Sequence, residues 1–495
     1  MLDSRFSSLR RKQCLLFAAV IGLLTLHSIE CNSLQGQDAV KFVDRSTELA
    51  LQAGGLAACW IDIDADGWSD LCTGGTVWRN EQGQRFTQIA SGMGEVVAAD
   101  VDNDGYPDLC SWSNLTIYRN EQGKSFSPLT SLALPPDQSR TVSLGAAAGD
   151  FNRDGWIDFY VGGFEDWENQ LTFPDLLYLN EGGKSFRLAW HDSRHRARGV
   201  TSCDFDQDGD LDIYVSNYRL QPNQLWQNDG QANLSDAAER LNALGTTPDF
   251  GGGHTIGSAW GDFNGDGLFD LFVGNFAHVD SRGDQPKSRF LRNLGADAAH
   301  AFEDLGPCGI FYQESYASPA AADFDNDGDL DLYFTTVYET ASFGKLNNPV
   351  LFRNDSEWTF SDQTEPNQLA KLPATYQAAW CDFDHDGDLD LLTAGKLFVN
   401  QSAPGNWLQL RLVVRGPSGN RSAVGAQAKI QLADRTLVRQ VEAGTGQGNQ
   451  NDLQLHFGLG THTDPVIVEV RWPDGEVTRT EPIELKQIKE IVQPL

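Results

Sequence analysis

Seven short acidic segments carry the residues best suited to chemistry in this sequence. Each follows the nine-residue pattern D-x-[DN]-x-D-G-x-x-D, and the segments start at residues 62, 100, 150, 204, 262, 323 and 382. Successive starts lie 38 to 61 residues apart, which identifies an internal repeat. Carboxylates this close together repel one another unless a cation neutralises them. The repeat therefore predicts seven cation-binding loops.

The ligand types in each loop favour Ca²⁺. Side-chain oxygens at positions 1, 3, 5 and 9, a backbone carbonyl at position 7 and a turn-forming Gly at position 6 suit a hard cation. Mg²⁺ prefers to retain water, and Zn²⁺ prefers His and Cys. We therefore expect up to seven Ca²⁺ ions, one per repeat. The predicted ligands are Asp62, Asp64, Asp66, Trp68, Asp70, Asp100, Asp102, Asp104, Tyr106, Asp108, Asp150, Asn152, Asp154, Trp156, Asp158, Asp204, Asp206, Asp208, Asp210, Asp212, Asp262, Asn264, Asp266, Leu268, Asp270, Asp323, Asp325, Asp327, Asp329, Asp331, Asp382, Asp384, Asp386, Asp388 and Asp390.

The loops differ in charge, which predicts an order of affinity. Asn152 and Asn264 each replace a carboxylate at position 3, so those two loops should bind Ca²⁺ more weakly. The loops that start at residues 204, 323 and 382 have an additional Asp at position 7 and should bind it more tightly.

An EF-hand and a metal-free turn are the two other interpretations of each loop. An EF-hand requires Glu at position 12, and none of the seven repeats has an acidic residue there. The flanking residues are β-branched and aromatic runs, which indicate strands rather than helices. Seven Asx-rich turns without a metal remain the alternative.

The elements around each loop recur in the same order. A strand of small residues precedes the loop, a second strand follows it, and a third strand ends in Asn; a turn and a further strand usually come next. Four strands repeated seven times predict an all-β, seven-bladed β-propeller. The seventh unit stops at Asn400, and residues 41–49 resemble its missing outer strand, so we expect the N-terminal segment to close the ring.

The C-terminal part has a different character. From Gly405 onward the acidic repeat is absent and short alternating strands predict a small β-sandwich over residues 405–495. The propeller is predicted to occupy residues 37–404.

Both parts resemble known families. Residues 149–163 and 261–275 are similar to FG-GAP or VCBS-type repeats, which occur in calcium-loop propellers. The C-terminal part resembles the ASPIC/UnbV domain. A propeller of such repeats followed by this domain is also found in the cartilage acidic protein family. The resemblance implies a propeller with a role in adhesion or binding. Its motif residues are Asn406, Trp407, Leu408, Gly419, Asn420, Arg421, Gly425, Ala426, Gln450, His456, Phe457, Gly458, Leu459, Gly460, Trp472, Pro473, Asp474 and Gly475. Asn449 stands where that family leads us to expect Ser.

The N-terminal residues predict export. Four basic residues precede a 13-residue apolar run at 14–26, which is typical of a signal peptide over residues 1–36, with an uncleaved anchor as the alternative. We expect a secreted, cell-surface or periplasmic protein. Six cysteines lie after this segment, too few for a disulfide scaffold.

The acidity of the chain is local. The 495 residues have a net charge of −32, and the seven loops alone account for −28 of it. No basic region suggests a nucleic-acid partner, and no membrane contact is expected beyond the N-terminal segment.

Sequence motifs of common enzymes are absent, including G-x-S-x-G, H-E-x-x-H and phosphate-binding loops. We expect an exported, non-catalytic calcium-binding protein that mediates adhesion or binds a protein or glycan; the alternative is a polysaccharide lyase or hydrolase. Long insertions should lie on the face opposite the Ca²⁺ loops, and their aromatic residues could supply either a binding surface or loop cores. They are Phe164, Trp167, Tyr218, Phe250, Phe276, Tyr312, Tyr316, Tyr338 and Phe343. The tripeptide Arg282-Gly283-Asp284 is treated as a coincidence.

Overall fold

The computed structural model describes residues 41–280, 283–401, 405–415 and 419–494. The predicted signal peptide at 1–36 and Arg282 lie outside these residues. The described chain consists almost entirely of strands and turns, with two single-turn 3₁₀ helices at Ala296–Ala298 and Ser342–Gly344. The predicted all-β fold is confirmed.

The repeat region contains 32 strands among the described residues. They are β1 (Phe42–Asp44), β2 (Ala58–Ile61), β3 (Asp70–Thr73), β4 (Thr76–Asn80), β5 (Phe86–Ser91), β6 (Val96–Ala99), β7 (Asp108–Ser111), β8 (Thr116–Asn120), β9 (Phe126–Ser131), β10 (Ser143–Gly149), β11 (Asp158–Gly163), β12 (Glu165–Asp166), β13 (Leu171–Thr172), β14 (Asp175–Asn180), β15 (Phe186–Asp192), β16 (Ala197–Cys203), β17 (Asp212–Asn217), β18 (Gln224–Gln227), β19 (Ser235–Asp236), β20 (Thr255–Gly261), β21 (Asp270–Asn275), β22 (Val279–Asp280), β23 (Gly283–Asp284), β24 (Arg289–Asn293), β25 (Phe302–Gly306), β26 (Tyr316–Ala322), β27 (Asp331–Thr336), β28 (Val350–Asn354), β29 (Phe360–Asp362), β30 (Ala378–Cys381), β31 (Asp390–Thr393) and β32 (Lys396–Asn400).

Twenty-eight of these strands form seven four-stranded antiparallel sheets, which we number I to VII along the chain. The other four form two small hairpins, β12-β13 and β22-β23, outside the seven sheets. Each inner strand precedes one acidic loop, and the next strand of the sheet follows it. The inner strands β2, β6, β10, β16, β20, β26 and β30 contact one another in that order, and β30 contacts β2. The seven sheets therefore stand in a closed ring, with the acidic loops at one end of the inner strands.

The N-terminal segment completes sheet VII. β1 pairs antiparallel with β32, with Phe42 opposite Asn400 and Asp44 opposite Phe398. Phe42 is 2% exposed and packs on Phe324 and Trp380. The expected closure of the ring by residues near the start of the chain is confirmed.

The C-terminal part, which we call the C-terminal module, consists of two sheets. Its strands are β33 (Asn406–Val413), β34 (Gln427–Gln431), β35 (Thr436–Gln440), β36 (Leu455–Gly460), β37 (Val468–Arg471), β38 (Val477–Arg479) and β39 (Ile488–Val492). One sheet has the order β36-β33-β39 and the other β35-β34-β37-β38. Their inward apolar side chains share one core with those of sheets II, III and IV. The described residues from 41 onward consequently form one compact unit.

A segment of the C-terminal module enters the ring. Residues 441–454, which connect β35 to β36 and which we call the plug, bond to inner strands around the ring. The Ala148 N–H donates to the Ala443 carbonyl at 2.9 Å, and the Gly446 N–H donates to the Ser258 carbonyl at 3.1 Å. Gly446 also lies so close to β16 that a Cβ at Gly199 would lie 2.4 Å from the Gly446 oxygen. The plug therefore fills the axis that a propeller ordinarily leaves as a channel.

Asn449 and Gln450 bond the plug to several sheets. Asn449 Oδ1 accepts the Ala58 N–H at 3.0 Å, and its Nδ2 donates to the Tyr376 carbonyl at 2.9 Å. Gln450 Oε1 accepts the Ala98 N–H at 2.8 Å. Both residues are fully buried, so the departure from the expected Ser at 449 supplies side-chain hydrogen bonds to the ring.

No helix in the described part of the chain is long and apolar enough to cross a membrane.

Candidate metal sites and the opposite face

Each acidic loop is folded by its own carboxylates. In the first loop, Asp62 accepts the Asp66 N–H at 3.1 Å and the Gly67 N–H at 3.0 Å. Asp66 in turn accepts the Trp68 N–H at 2.9 Å. The same three bonds recur in the loops that start at 100, 150, 262, 323 and 382.

Two residues per loop adopt left-handed backbone conformations. Gly67 at position 6 has φ +95°, which explains the Gly of the pattern. Ala65 at position 4 has φ +57°, and the other six residues at position 4 have φ between +57° and +70°. The sequence pattern left position 4 unspecified, although Asn or Gly there in three loops was a usable signal.

The Asp at position 9 ties the loop to the sheet. Asp70 is 1% exposed; its Oδ2 accepts the Ile63 N–H at 3.0 Å and its Oδ1 accepts the Asn80 N–H at 2.6 Å. Burial raises the pKa of Asp70 to about 8. Burial likewise raises the pKa at position 9 of every other loop.

The Asn that ends each third strand links neighbouring loops. Asn120 Nδ2 donates to the Pro107 carbonyl of its own loop at 2.8 Å and to the Ile63 carbonyl of the preceding loop at 2.7 Å. Its Oδ1 accepts the Gly123 N–H at 2.7 Å. Equivalent bonds to the preceding loop are made by Asn80, Asn180, Asn228, Asn293, Asn354 and Asn400. The sequence showed these seven Asn residues but not their function.

The first carboxylate of most loops also sits in an unfavourable environment. Burial, opposed by the Gly105 N–H and reinforced by Asp104 and Asp102, raises the pKa of Asp100 to about 7. For the same main reason the pKa of Asp204 and of Asp262 is raised to about 7, and that of Asp150 to about 6. A bound cation would remove the repulsion among these groups.

Five loops bring three carboxylates within reach of a single ion. The groups are Asp62, Asp64 and Asp66; Asp100, Asp102 and Asp108; Asp204, Asp206 and Asp208; Asp323, Asp325 and Asp331; and Asp382, Asp384 and Asp390, each with ligand atoms within 4.8 Å of one another. These clusters could hold metal ions.

The loop that starts at Asp204 is the best prepared of the seven. Four of its buried oxygens have no hydrogen-bond partner among the described residues: Asp204 Oδ1, Asp206 Oδ1, Asp210 Oδ1 and Asp212 Oδ2. Unpaired buried carboxylate oxygens are costly, and a hard cation is the partner that satisfies them together. The donor set therefore fits a metal such as Ca²⁺.

The two loops with Asn at position 3 satisfy themselves differently. Asn152 Nδ2 donates to Asp154 Oδ2 at 3.0 Å, and Asn264 Nδ2 donates to Asp266 Oδ2 at 2.8 Å. The amide thus donates a hydrogen bond where a third carboxylate would repel its neighbour, and these are the two loops for which weaker binding is predicted.

Some of the predicted ligands already form ion pairs or hydrogen bonds with other side chains. Arg79 pairs with Asp64 at 2.8 Å, and Arg119 pairs with Asp102. The additional Asp at position 7 also has partners in two loops: Arg435 bonds to Asp329 at 2.6 Å and Asn326 bonds to Asp388 at 2.6 Å. Of the three loops expected to bind most tightly, only the one with Asp210 presents its additional carboxylate with an unpaired buried oxygen among the described residues.

The C-terminal module lies against the loops. Gln409 Nε2 donates to Asp382 Oδ2 at 2.6 Å, Gln427 Nε2 donates to the Asp204 carbonyl at 2.9 Å, and Arg411 pairs with Asp62. Further contacts are Ser422 to Asp100, Asp474 to Arg153, Thr436 to Gly265 and Gly460 to Asn326. All seven loops therefore touch the module, which covers this face of the ring.

The opposite face carries the long connections. Of the aromatic residues predicted there, Trp167 and Tyr338 are each 58% exposed and Tyr312 is 39% exposed. Phe276 and Tyr316 are buried, so these two serve as loop cores. Phe164, Tyr218 and Phe250 are half-buried, and the side chain of Phe343 lies outside the described structure. The loop-core interpretation is therefore correct for Phe276 and Tyr316, and the binding surface stays a prediction for the exposed residues.

The histidines of this face are packed rather than free. The His254 ring lies 4.7 Å from the Tyr218 ring and 5.3 Å from the His278 ring. His278 Nδ1 lies 3.0 Å from Glu314 Oε1, which also accepts the Ser342 hydroxyl at 2.7 Å. Burial lowers the pKa of His195.

Family comparisons agree with this architecture. Residues 416–494 match the family model described as ASPIC and UnbV, and residues 100–161 and 204–273 match the FG-GAP-like repeat model. This all-β protein therefore contains FG-GAP-like repeats at residues 100–161 and 204–273 and an ASPIC and UnbV domain at residues 416–494.

The relatives are cartilage acidic proteins. The chain is homologous to cartilage acidic protein 1 of Mus musculus, with 28% identity over 312 residues, 60% of this chain and 45% of that protein. For the Homo sapiens protein the identity is 28% over 312 residues, 60% of this chain and 44% of that protein. The chain thus spans less than half the length of these relatives.

Among solved structures, an Agrocybe aegerita lectin that recognises non-reducing terminal N-acetylglucosamine is similar at 16% identity and a TM-score of 0.41, over 71% of this chain and 87% of that one.

Proposed function

We propose that this protein is an exported, non-catalytic, calcium-binding propeller that binds a protein or glycan ligand on the face opposite its C-terminal module. The observation that carries the proposal is the difference in exposure between the two faces of the ring. The module covers all seven acidic loops, whereas the long connections of the other face end in exposed Trp167 and Tyr338.

Calcium supports this function structurally. The acidic loops join the inner strands to the second strands. The Asn at the end of each third strand links its loop to the preceding one, and the module contacts the loops directly. A cation in a loop would stabilise the ring without touching a ligand on the far face. Ligand binding would then depend on calcium only because the folded ring depends on calcium for its stability.

Exposed aromatic side chains are suited to recognition. Trp and Tyr supply a large contact area with few rotatable bonds, and they are enriched where binding energy is concentrated. Trp167 already has an Arg219 guanidinium 4.0 Å from its ring centroid, which fixes the orientation of the indole.

The proposal is tested by alanine substitution on this face. Trp167→Ala and Tyr338→Ala should each weaken binding of a ligand found in a protein and glycan screen by about tenfold or more. Val477→Ala, at an apolar residue on β38 of the module that is 53% exposed, is the matched control and should leave binding unchanged. Full binding by both aromatic variants, with unchanged melting temperatures, would place the ligand elsewhere.

The alternative is a polysaccharide-active enzyme on the same face. It is favoured by the titratable side chains that meet there, namely Tyr218, His254, His278 and Glu314. Purified protein incubated with a panel of polysaccharides would separate the two functions, since an enzyme releases new chain ends or unsaturated sugars and a binding protein does not.

A further inference from the structure

An unpaired arginine lies at the start of an inner strand on the opposite face. Arg198 is the second residue of β16 and is 9% exposed. Its guanidinium carbon lies 5.1 Å from the ring centroid of Phe164 and 5.2 Å from those of Tyr218 and Tyr376. Phe164 follows β11 of sheet III, Tyr218 follows β17 of sheet IV, and Tyr376 precedes β30 of sheet VII. The guanidinium therefore lies among parts of three sheets at the mouth of the ring.

This guanidinium has no carboxylate partner. Among the described residues, no acidic group lies within ion-pair distance of Arg198, and its Nε has no hydrogen-bond acceptor. A buried cation without a counter-charge is costly, and three aromatic faces offset only part of that cost. Arg198 is therefore a donor prepared for a partner that the chain itself does not supply.

The neighbouring arginines behave differently. Arg140 pairs with Asp166, Arg194 pairs with Asp192 at 2.8 Å, and Arg196 pairs with Glu165 at 2.9 Å. Glu165 also accepts Arg219 at 2.8 Å, so one carboxylate serves two guanidinium groups. Arg196, Arg198 and Arg219 together with Glu165 consequently leave this part of the face positively charged, in a protein whose net charge is −32.

We propose that Arg198, supported by Arg219, binds the anionic group of an acidic glycan, a carboxylate or a sulfate. This deepens the proposed function by naming the ligand class of the same face. A guanidinium recognises either group through paired N–H donors. Arg219 contributes charge from a position 5.4 Å from the Tyr218 ring centroid.

The surroundings of Arg198 favour a sugar as the carrier of the anion. Trp167 has Arg219 on one side of its ring and is 58% exposed, which leaves aromatic surface for the flat C–H face of a pyranose. Tyr338 is equally exposed, and its ring lies 6.0 Å from that of Phe276. An acidic peptide would satisfy Arg198 but would not require these flat exposed rings.

The experiment compares charged and uncharged versions of the same sugars. A short hyaluronan oligosaccharide is titrated against its carboxyl-reduced form, and sulfated dextran oligosaccharides against plain dextran, in excess Ca²⁺. We expect the charged member of at least one pair to bind and its neutral counterpart to bind at least tenfold more weakly. A difference within the hyaluronan pair indicates recognition of a carboxylate, and a difference within the dextran pair indicates recognition of a sulfate. Equal binding of both members of each pair, or no binding of either charged sugar, overturns the inference.

Variants test the role of Arg198 itself. Arg198→Met keeps the length of the side chain and should weaken binding of the charged sugar by about 10–100-fold, the range expected for a charge-assisted hydrogen bond. Arg194→Met, which removes the same charge from an exposed residue already paired with Asp192, should change affinity less than about threefold. Unchanged affinity in Arg198→Met overturns the inference.

Two further measurements keep the inference testable if Arg198→Met fails to fold. The wild-type protein should bind the charged sugar more weakly as the salt concentration is raised. The Trp167→Ala variant should bind the same sugar more weakly than the wild type. Insensitivity to both, or preferential binding of polyglutamate, overturns the acidic-glycan assignment. Binding of a neutral glycan or a protein that depends on Trp167 but not on Arg198 would overturn it while leaving the proposed function intact.

Discussion

Asn80 joins the first acidic loop to the last. Its Nδ2 donates to the Phe383 carbonyl at 2.8 Å, although the two residues are separated by 303 positions. Together with the pairing of β1 and β32, this bond closes the ring at the junction of sheets I and VII. Six equivalent Asn residues make the same link between the other neighbouring loops.

Loss of this link should destabilise the ring. Asn80→Ala removes three hydrogen bonds from a buried site, to Ser69, Phe383 and Gly83, and should lower the free energy of unfolding by about 2–4 kcal/mol. Asn233→Ala, at an exposed residue whose side chain bonds to Asp229 alone among the described residues, is the control and should cost less than about 1 kcal/mol. Equal denaturant midpoints for the two variants would contradict a structural role for Asn80.

The charge of a loop should set its affinity for calcium. Asn264→Asp replaces the amide that donates to Asp266 with a carboxylate. We expect the variant to bind Ca²⁺ about tenfold more tightly at that loop and to be less stable when chelated, because the new carboxylate repels its neighbours. Calorimetric titration measures the first effect and thermal melting the second. A variant that gains stability in chelator would refute this explanation.

The unpaired oxygens of the loop at Asp204 predict a particular sensitivity. Asp206→Ala removes one of the four and should abolish one Ca²⁺ from the measured stoichiometry. The reference variant is Asp64→Ala, whose carboxylate is already paired with Arg79 at 2.8 Å and whose loss should weaken Ca²⁺ binding less. Identical titration curves for the two variants would show that the unpaired oxygens do not mark the stronger site.

Calcium should reverse the dependence of stability on pH. Burial raises the pKa of Asp70 and Asp108 to about 8, whereas an Asp in the unfolded chain titrates near about 3.9. Such groups contribute stability below the unfolded pKa and lose it as the pH rises through the folded pKa. Protein kept metal-free by a chelator should therefore have a lower melting temperature at about pH 8 than at about pH 5.

If Ca²⁺ binds to the loops, the same groups act as its ligands and protons compete with the ion for them. The melting temperature should then rise between about pH 5 and about pH 8. Melting curves at both pH values, with chelator and with Ca²⁺, measure the reversal; a pH slope that Ca²⁺ leaves unchanged would speak against metal binding by these carboxylates.

Glu442 in the plug offers a separate pH test. Burial raises its pKa to about 8, and its Oε2 has no hydrogen-bond partner among the described residues. Ionising it in the folded state is costly, so Glu442→Gln should stabilise the protein by about 2–4 kcal/mol near pH 8 and have little effect near pH 4. The exposed Glu476→Gln is the control. A destabilising effect of Glu442→Gln at both pH values would show that the carboxylate has a partner in solution.

The sequence predicted those parts of the fold that repeat. Seven copies of one pattern placed the loops, the strand order and the closing strand near Phe42, because each depends on local residue types. The position of the C-terminal module could not be predicted, since contacts such as Gln409 to Asp382 join segments without a shared pattern. The plug was missed for the same reason, although Asn449 marked it as a departure from the resemblance.

The candidate sites were predictable to a similar extent. The spacing of Asp residues indicated the metal clusters, but the partners that distinguish them, such as Arg79 for Asp64 and Asn326 for Asp388, come from other strands and loops. Arg198 gave no sequence signal, because its environment consists of rings on three connections that are far apart in the sequence.

Calcium titration of chelated protein, followed by melting, tests the central claim most directly. If the acidic loops are calcium sites that hold the ring together, Ca²⁺ should bind in a stoichiometry of several ions per chain. Each site should add about 3 kcal/mol of stability at a hundredfold excess over its Kd, and Mg²⁺ at the same concentration should add much less. A melting temperature that is indifferent to Ca²⁺ would contradict the account.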